Sequence, residues 1–468
     1  MTRKLGLFYP ILVAWVGLFS ASTVILLVTG STGWVSTNQW LLTWGAMAAL
    51  TAAAVVALRE RVVYMVVLVP VGMLVAQVGM VVTARNPLAV AAPDVEVENV
   101  SRTGTGPAHV IHIVFDEQIG LAGFPSDIAE CVTAAQVWRD VLARHGFVVY
   151  PRAFSNYDVT WNSLPSIMND RLLDRPLQHQ SQDSVLNSNE RFAQAIRKGM
   201  DLALYQSEFL RFDASVFPAT IVRTYDTSDL TALTVAPASW TERAERIAFT
   251  YFVRDKPMEL AYASIRDRLD SAVGPLALRG VLVRRVADDI LKARRPTLFF
   301  AHLLEPHFPY VYAQDGSVRP LRTWTYKIHG LSPSEYVERY REYAGQSIAV
   351  ANELDAFLGV LQAAGVLETS TVIVHGDHGS RIVHADNSTP LAEWSDRDRV
   401  SAFSTLFAHR VPGQARFRAD DTQASVLALL RHTEHRPSRG DDATLNQVFR
   451  MASYGRFDTP APMLQKWR

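Results

Sequence analysis

Three long apolar segments without a charged residue occupy most of the first 83 residues, and they constrain the fold of this chain most strongly. They run over residues 7–28, 40–58 and 62–83. Each is close to the roughly 20 residues with which a helix crosses a bilayer, and none shows the polar face of a surface helix. A signal peptide for the first and a buried hairpin for the others are less favoured alternatives. The sequence predicts a membrane domain of three transmembrane helices over residues 1–85.

The positions of the positive charges predict how these helices are oriented. Arg3 and Lys4 precede the first segment, Arg59 and Arg61 separate the second from the third, and residues 31–39 carry no charge. The positive-inside rule places the N-terminus and the second loop in the cytoplasm. We therefore expect a multi-pass protein of the plasma (inner) membrane whose remaining residues lie on the extracytoplasmic side.

Composition limits what the rest of the chain can be. Lys and Arg together number 46, as do Asp and Glu, so the formal net charge is zero and nothing predicts a nucleic-acid partner. The single cysteine, Cys131, excludes an intramolecular disulfide and a cysteine-rich metal site. Residues 86–107 contain proline, acidic residues and a Thr-Gly-Thr-Gly run, which is typical of a linker before a domain over residues 108–468.

That domain has an α/β pattern. A helix is predicted over residues 334–364, where Tyr and Leu recur at helical spacing before Gly365. Strands that alternate with helices indicate a mainly parallel central sheet in an α/β/α domain, with functional residues at the carboxyl ends of the strands. The predicted strands are 110–115, 147–150, 297–302, 372–374 and 404–408.

Acidic residues follow two of these strands. Asp377 and His378 come after the strand at 372–374 between two glycines, and Asp116 and Glu117 follow the first strand. A carboxylate beside an imidazole suits a divalent cation, and the glycines are expected to let the backbone bend around it. The alternatives are a polar loop with a chance Asp-His pair and a helix-capping turn.

Two further stretches carry polar residues that we expect to belong to the same functional site. His302 ends a predicted strand, and His307 follows in a proline-rich turn. Thr160 lies near the start of a predicted helix, where free N–H groups favour an anion. Buried core histidines and an ordinary helix-capping threonine are the alternatives.

Taken in this order, the four stretches resemble the sulfatase-like branch of the alkaline phosphatase superfamily, and within it the membrane-anchored lipoteichoic acid synthases and phosphoethanolamine transferases. The resemblance covers about residues 108–432. It implies that Asp116 is a metal ligand, with Glu117 as a second candidate, and that Asp377 and His378 complete the metal site. Thr160 matches the Thr of a Thr-x-x-Ser-hydrophobic-Pro pattern, which implies a nucleophile in contact with the metal.

The resemblance also implies roles for the two histidines. His302 and His307 are similar to paired histidines that bind the substrate phosphate or a second metal. A set of Asp, Asp, His and Thr ligands suits zinc or manganese better than calcium. The later histidine of the family is not at its usual spacing, because His384 lies nearer to the Asp-His-Gly motif.

Departures from the pattern bear on the substrate. Thr160 stands where sulfatases carry the Cys or Ser that becomes formylglycine, and the arginine of that signature is missing from residues 163–167. We therefore expect a metal-dependent enzyme that moves a phospho-group between envelope lipids or glycans through a covalent Thr intermediate, with the membrane and such a lipid or glycan as partners. The alternatives are a hydrolase of soluble phosphate or sulfate esters and a non-catalytic envelope scaffold or sensor.

Overall fold

The computed structural model describes residues 107–177, 189–207, 221–225, 282–317, 327–386, 388–413 and 416–433, with a few single residues and four short strands besides. All of them belong to the larger of the chain's two compact units. The three predicted membrane helices lie outside the described residues and stay a prediction, as do the domain boundaries. Among the helices that the structure describes, none has the length and apolar character needed to span a bilayer.

An eight-stranded sheet forms the centre of the described domain, in the order β4-β3-β5-β1-β6-β7-β2-β8. Only β7 runs antiparallel to its neighbours, so the prediction of a mainly parallel sheet is confirmed. Strands β3, β4 and β8 were not predicted, and the predicted strand at 404–408 begins three residues later. The strands are β1 Val110–Phe115, β2 Val148–Val149, β3 Asp201–Ser207, β4 Ile221–Tyr225, β5 Thr297–Leu303, β6 Thr371–Gly376, β7 Phe407–Arg410 and β8 Arg418–Ala419.

The helices include the long one predicted from sequence. It begins with a capping box between Ser332 and Glu335 and ends before Gly365, whose φ of 71° is one that glycine adopts without strain. The α-helices are α1 Ala129–Arg144, α2 Thr160–Met168, α3 Glu190–Arg197, α4 Ala287–Lys292, α5 Pro333–Ala363, α6 Asp396–Phe403 and α7 Val426–Thr433. Short π and 3-10 turns lie at Leu282–Val286 and Leu391–Glu393. Two small antiparallel sheets pair Val448–Phe449 with Ala461–Pro462 and Ala452–Ser453 with Arg456–Phe457.

Helices cover both faces of the sheet. Successive side chains of a strand point to opposite faces, and in β1 they enter two different hydrophobic clusters. Ile113 belongs to the cluster that contains Trp138 of α1 and Leu354 of α5. Val114 belongs to the cluster that contains Leu164 of α2. The predicted α/β/α arrangement is therefore confirmed for the described domain.

Candidate active site

The carboxyl ends of β1 and β6 bring two predicted site stretches together. The strands are parallel neighbours, and Phe115 lies opposite Gly376 in their register. Asp116 and Asp377 therefore lie side by side where the two strands end. They are far apart in the sequence, since 260 residues separate Glu117 from Asp377. The backbone N–H of Glu117 donates to Oδ1 of Asp377 at 3.0 Å, which ties the two strand ends to each other.

Asp116, Asp377 and His378 form a buried cluster of side chains that are able to ligate a metal. Each offers one ligand atom, and these atoms lie within 4.8 Å of one another. Nε2 of His378 is 3.5 Å from Oδ1 of Asp116 and 3.4 Å from Oδ2 of Asp377. Two carboxylates and an imidazole in this arrangement suit a divalent cation of the zinc or manganese type.

The electrostatics of the cluster also fit a cation. Oδ1 of Asp116 and Oδ2 of Asp377 are buried and have no hydrogen-bond partner among the described residues. Burial, together with the negative charges of Asp377 and Glu117, raises the pKa of Asp116 well above its ordinary value. Buried carboxylates are costly unless a positive charge neutralises them. A divalent ion held by these three side chains would remove that cost.

Thr160 is the first residue of α2, and its hydroxyl faces the cluster. Oγ1 is 3.2 Å from Nε2 of His378 and 3.4 Å from Oδ2 of Asp116. Nδ1 of His378 donates to the carbonyl oxygen of Gly379 at 2.8 Å, so Nε2 carries the lone pair on the side of Thr160. The N-terminus of α2 points the positive end of its dipole at the same place. The structure therefore brings together four of the predicted site residues.

Ser163, one turn after Thr160, attaches α2 to the turn that carries Asp377. Its hydroxyl donates to the carbonyl oxygen of Asp377 at 2.5 Å and lies 2.9 Å from the hydroxyl of Ser155. Residues three apart share one face of a helix, so the same face of α2 presents Thr160 and binds the Asp377 turn.

Replacement of Ser163 by alanine is expected to lower the free energy of unfolding by ~1–3 kcal/mol, because the buried Asp377 carbonyl loses this donor. We expect turnover to fall as well, since α2 is no longer fastened to the metal-ligand turn. Denaturant unfolding and rate measurements check this, with Ser334→Ala on the exposed start of α5 as the control. Unfolding curves that coincide with the wild type would contradict it.

The two glycines that flank Asp377 and His378 are required because other atoms pack closely against them. Gly376 and Gly379 were expected to bend the backbone, yet neither is among the glycines with positive φ. A Cβ atom on Gly376 would lie 2.3 Å from the carbonyl oxygen of Gln118, and one on Gly379 would lie 2.0 Å from that of Ser401. The turn therefore has no room for a side chain at either position.

Gly379→Ala is expected to displace His378, to weaken metal binding and to destabilise the domain by ~1–3 kcal/mol through overpacking. Gly359→Ala is the matched control, because a Cβ there meets nothing within 4 Å on α5 and helix propensity favours alanine by up to ~1 kcal/mol. Thermal unfolding and metal content of the two variants would be compared. Equal behaviour of the two would contradict the close-packing explanation.

His302 lies on β5 beside the cluster, as the sequence predicted. Its Nε2 is 3.7 Å from Oδ2 of Asp116, and neither ring nitrogen has a hydrogen-bond partner in the described part of the chain. Burial lowers the pKa of His302 to about 4, so the ring is neutral near pH 7. It is placed to contact a ligand at the cluster.

Arg381 is a residue that the sequence analysis missed. Its Nε and Nη2 donate to Oε1 of Glu117 at 2.9 and 2.5 Å, while the N–H of Phe308 donates to Oε2 of Glu117 at 3.2 Å. His307 lies in the same group, with Nε2 3.6 Å from Oε1 of Glu117. Both oxygens of Glu117, the second candidate ligand, are thus already bound. The sequence signal for this residue was its position three residues after His378.

His384 does not join the site. Its ring stacks on Tyr336 with centroids 4.4 Å apart, and Nδ1 lies 2.7 Å from the carbonyl oxygen of Leu331. These contacts fasten the loop after the Asp-His-Gly motif to the start of α5.

Neither a protein-family model nor a curated protein matches the chain. Among solved structures, it is similar to the C-terminal periplasmic domain of EcEptC from Escherichia coli, with 10% identity, a TM-score of 0.44, and coverage of 77% of this chain and 93% of that one. The zinc complex of that domain matches at 12% identity and a TM-score of 0.43, over 76% and 92% of the two chains.

A hydrolase is among the other similar structures. The phosphonate monoester hydrolase SpPMH from Silicibacter pomeroyi matches at 13% identity and a TM-score of 0.39, over 69% of this chain and 72% of that one. All three TM-scores are below 0.5, so these similarities say nothing about the chemistry of this chain.

Proposed function

We propose that this chain is a metal-dependent enzyme of the alkaline phosphatase superfamily that transfers or hydrolyses phosphate esters, with Thr160 as the nucleophile. The observation that carries the proposal is the position of the Thr160 hydroxyl, 3.2 Å from His378 and 3.4 Å from Asp116. A nucleophilic hydroxyl, a helix N-terminus and a set of metal ligands converge there, which is the combination that attack on an anionic ester requires.

In the proposed first step, Oγ1 of Thr160 attacks the phosphorus of the ester. The new O–P bond forms as the bond to the leaving oxygen breaks, and the hydroxyl proton of Thr160 ends on the leaving oxygen. Asp116, Asp377 and His378 would hold a divalent ion, zinc or manganese, which when bound lowers the pKa of the hydroxyl and neutralises phosphate charge.

The other residues at the site act on the phosphate and on its release. The neutral ring of His302 would contact a non-bridging oxygen, and the N-terminus of α2 would favour the negative charge. A water molecule or the hydroxyl of an acceptor then attacks the phosphorus, frees Oγ1 of Thr160 and leaves its proton there. Water makes the enzyme a hydrolase, and a lipid or glycan hydroxyl makes it a transferase.

We propose that the reaction takes place at the outer surface of the plasma membrane. The three apolar segments and the distribution of positive charges favour this location, and the linker would keep the domain near the surface. An envelope lipid or glycan is then the substrate in reach. Thr160 and the missing arginine of the formylglycine signature favour phosphate over sulfate esters.

Metal-dependent hydrolysis by the full chain in detergent tests the proposed class of reaction. We expect bis-p-nitrophenyl phosphate to be cleaved, chelation to abolish cleavage, and zinc or manganese to restore it, with p-nitrophenyl sulfate cleaved more slowly. Faster cleavage of the sulfate ester would favour a sulfate-ester hydrolase instead. Bound metal without cleavage of any ester or transfer from envelope lipid would contradict the proposal and favour a scaffold.

A further inference from the structure

The guanidinium group of Arg381 lies between a carboxylate and an imidazole. Nε and Nη2 donate to Oε1 of Glu117 at 2.9 and 2.5 Å, and Nη2 lies 3.4 Å from Nε2 of His307. The guanidinium carbon is 5.5 Å from the centre of the Phe308 ring. The side chain of Glu117 is fully buried, and that of Arg381 is 13% exposed. One cation is thus held by a carboxylate, an imidazole and an aromatic ring.

The two groups that hold this guanidinium are also metal-ligating groups. Nδ1 of His307 donates to the carbonyl oxygen of Phe308, so Nε2 carries the lone pair and accepts from Arg381. That nitrogen is 3.6 Å from Oε1 of Glu117. A carboxylate oxygen and an unprotonated imidazole nitrogen at this separation are ligands that zinc takes. Here they bind an arginine.

The backbone at both ends of the ion pair is unusual. Glu117 and Arg381 have φ values of 63° and 54°, and Asp170 is the only other non-glycine residue with positive φ in the described part of the chain. This conformation is disfavoured for residues with a side chain, and it tends to be retained where function requires it. The strain at both partners indicates that their contact has a role beyond packing.

The ion pair adjoins the metal cluster. Glu117 directly follows Asp116, and its N–H donates to Asp377 at 3.0 Å. The remaining guanidinium nitrogen, Nη1 of Arg381, has no hydrogen-bond partner among the described residues. A fixed cation beside the cluster therefore keeps one guanidinium nitrogen free to donate.

We propose that Arg381 occupies the position of a second metal ion, so that the chain binds a single divalent ion, and that Nη1 of Arg381 binds a non-bridging oxygen of a phosphate group. The first part concerns the number of ions, and the second deepens the proposed function and rests on it. Guanidinium stays charged at any working pH, and its planar fork of donors matches phosphate oxygens. His307 then acts as a positioning residue that orients Arg381.

The number of bound ions tests the first part without any assay of activity. The full chain, equilibrated with zinc and freed of excess metal, is expected to hold about one ion by elemental analysis, and Arg381→Ala about two, because Glu117 and His307 become available. The double variant Arg381→Ala, Glu117→Gln should return to about one. Arg397→Ala, which removes an arginine paired with exposed Asp127, is the control and should hold about one.

Two ions in the wild type would overturn the first part even if the Arg381 variants did not fold. One ion in a folded Arg381→Ala variant would overturn it as well, because Glu117 and His307 would then not form a metal site.

Binding of inorganic phosphate to the zinc-loaded full chain tests the second part by calorimetry. The double variant Arg381→Ala, Glu117→Gln, which should hold a single ion, is expected to bind phosphate about tenfold to a hundredfold more weakly than Glu117→Gln alone, which is the usual effect of losing a hydrogen bond to a charged group. Arg381→Lys in the Glu117→Gln background should recover part of it. A wild type that does not bind phosphate, or equal affinity in Glu117→Gln with and without Arg381→Ala, would overturn this part, whereas failure of the proposed function would appear as absent ester cleavage.

Discussion

The Thr160→Ala variant is expected to cleave phosphate esters at least ~10³-fold more slowly than the wild type while it binds metal with Asp116, Asp377 and His378 intact. The reason is that alanine offers no oxygen to attack the phosphorus, whereas the three buried ligands keep their positions. Steady-state rates and elemental analysis of the same preparations measure the two effects separately.

Two further threonine variants control this comparison. Thr160→Ser keeps the hydroxyl and is expected to stay within about tenfold of the wild-type rate. Thr133→Ala removes an exposed hydroxyl on α1 that donates to the Ala129 carbonyl oxygen, and it should not change the rate. A Thr160→Ala variant that turns over at nearly the wild-type rate would remove Thr160 from the mechanism.

The Asp377→Asn variant is expected to lose at least ~100-fold in metal affinity, since it removes one of the two negative charges that face the ion. The amide oxygen still accepts from the N–H groups of Glu117 and His378, which now bind Oδ1 of Asp377 at 3.0 and 2.8 Å. The loss should therefore come from the charge and not from collapse of the turn. Metal titration of the full chain measures it.

Thermal unfolding tests independently whether Asp377 is a metal ligand. Saturating metal is expected to raise the melting temperature of the wild type by about 5 °C, because a ligand at 100 times its Kd stabilises by ~2.7 kcal/mol. Asp377→Asn should show little metal response, because one of the three ligands is lost. Asp355→Asn, at an exposed ion pair, should keep the full response. A full metal response in Asp377→Asn would exclude it as a ligand.

The parts of the fold that sequence predicted are those with strong local patterns. Strands β1, β5 and β6 are mostly apolar runs, and α5 has helical periodicity, a capping box and a terminal glycine. Because the carboxyl ends of parallel strands lie at one edge of a sheet, the positions of Asp116, Asp377 and His302 at or just after the ends of predicted strands were enough to predict one site. Strand β3, Asp201–Ser207, mixes polar and apolar residues and was missed.

The role of Arg381 was beyond sequence reasoning for a physical reason. Its partner Glu117 is 264 residues away, and both residues have a positive φ. No periodicity or motif encodes such a conformation in a residue other than glycine. The Thr-x-x-Ser pattern contains Ser163 but does not predict its role, because its hydroxyl binds a backbone oxygen 214 residues away.

The measurement that tests the account most directly is the mass of the full chain after incubation with envelope lipid extract, with zinc or manganese and with chelator. We predict a metal-dependent adduct on the peptide that contains Thr160, absent from Thr160→Ala, whose mass identifies the transferred group as a phospho-group. An adduct of the same mass in Thr160→Ala, or product formation with metal while a rapid quench detects no adduct at any time, would contradict a covalent Thr160 intermediate.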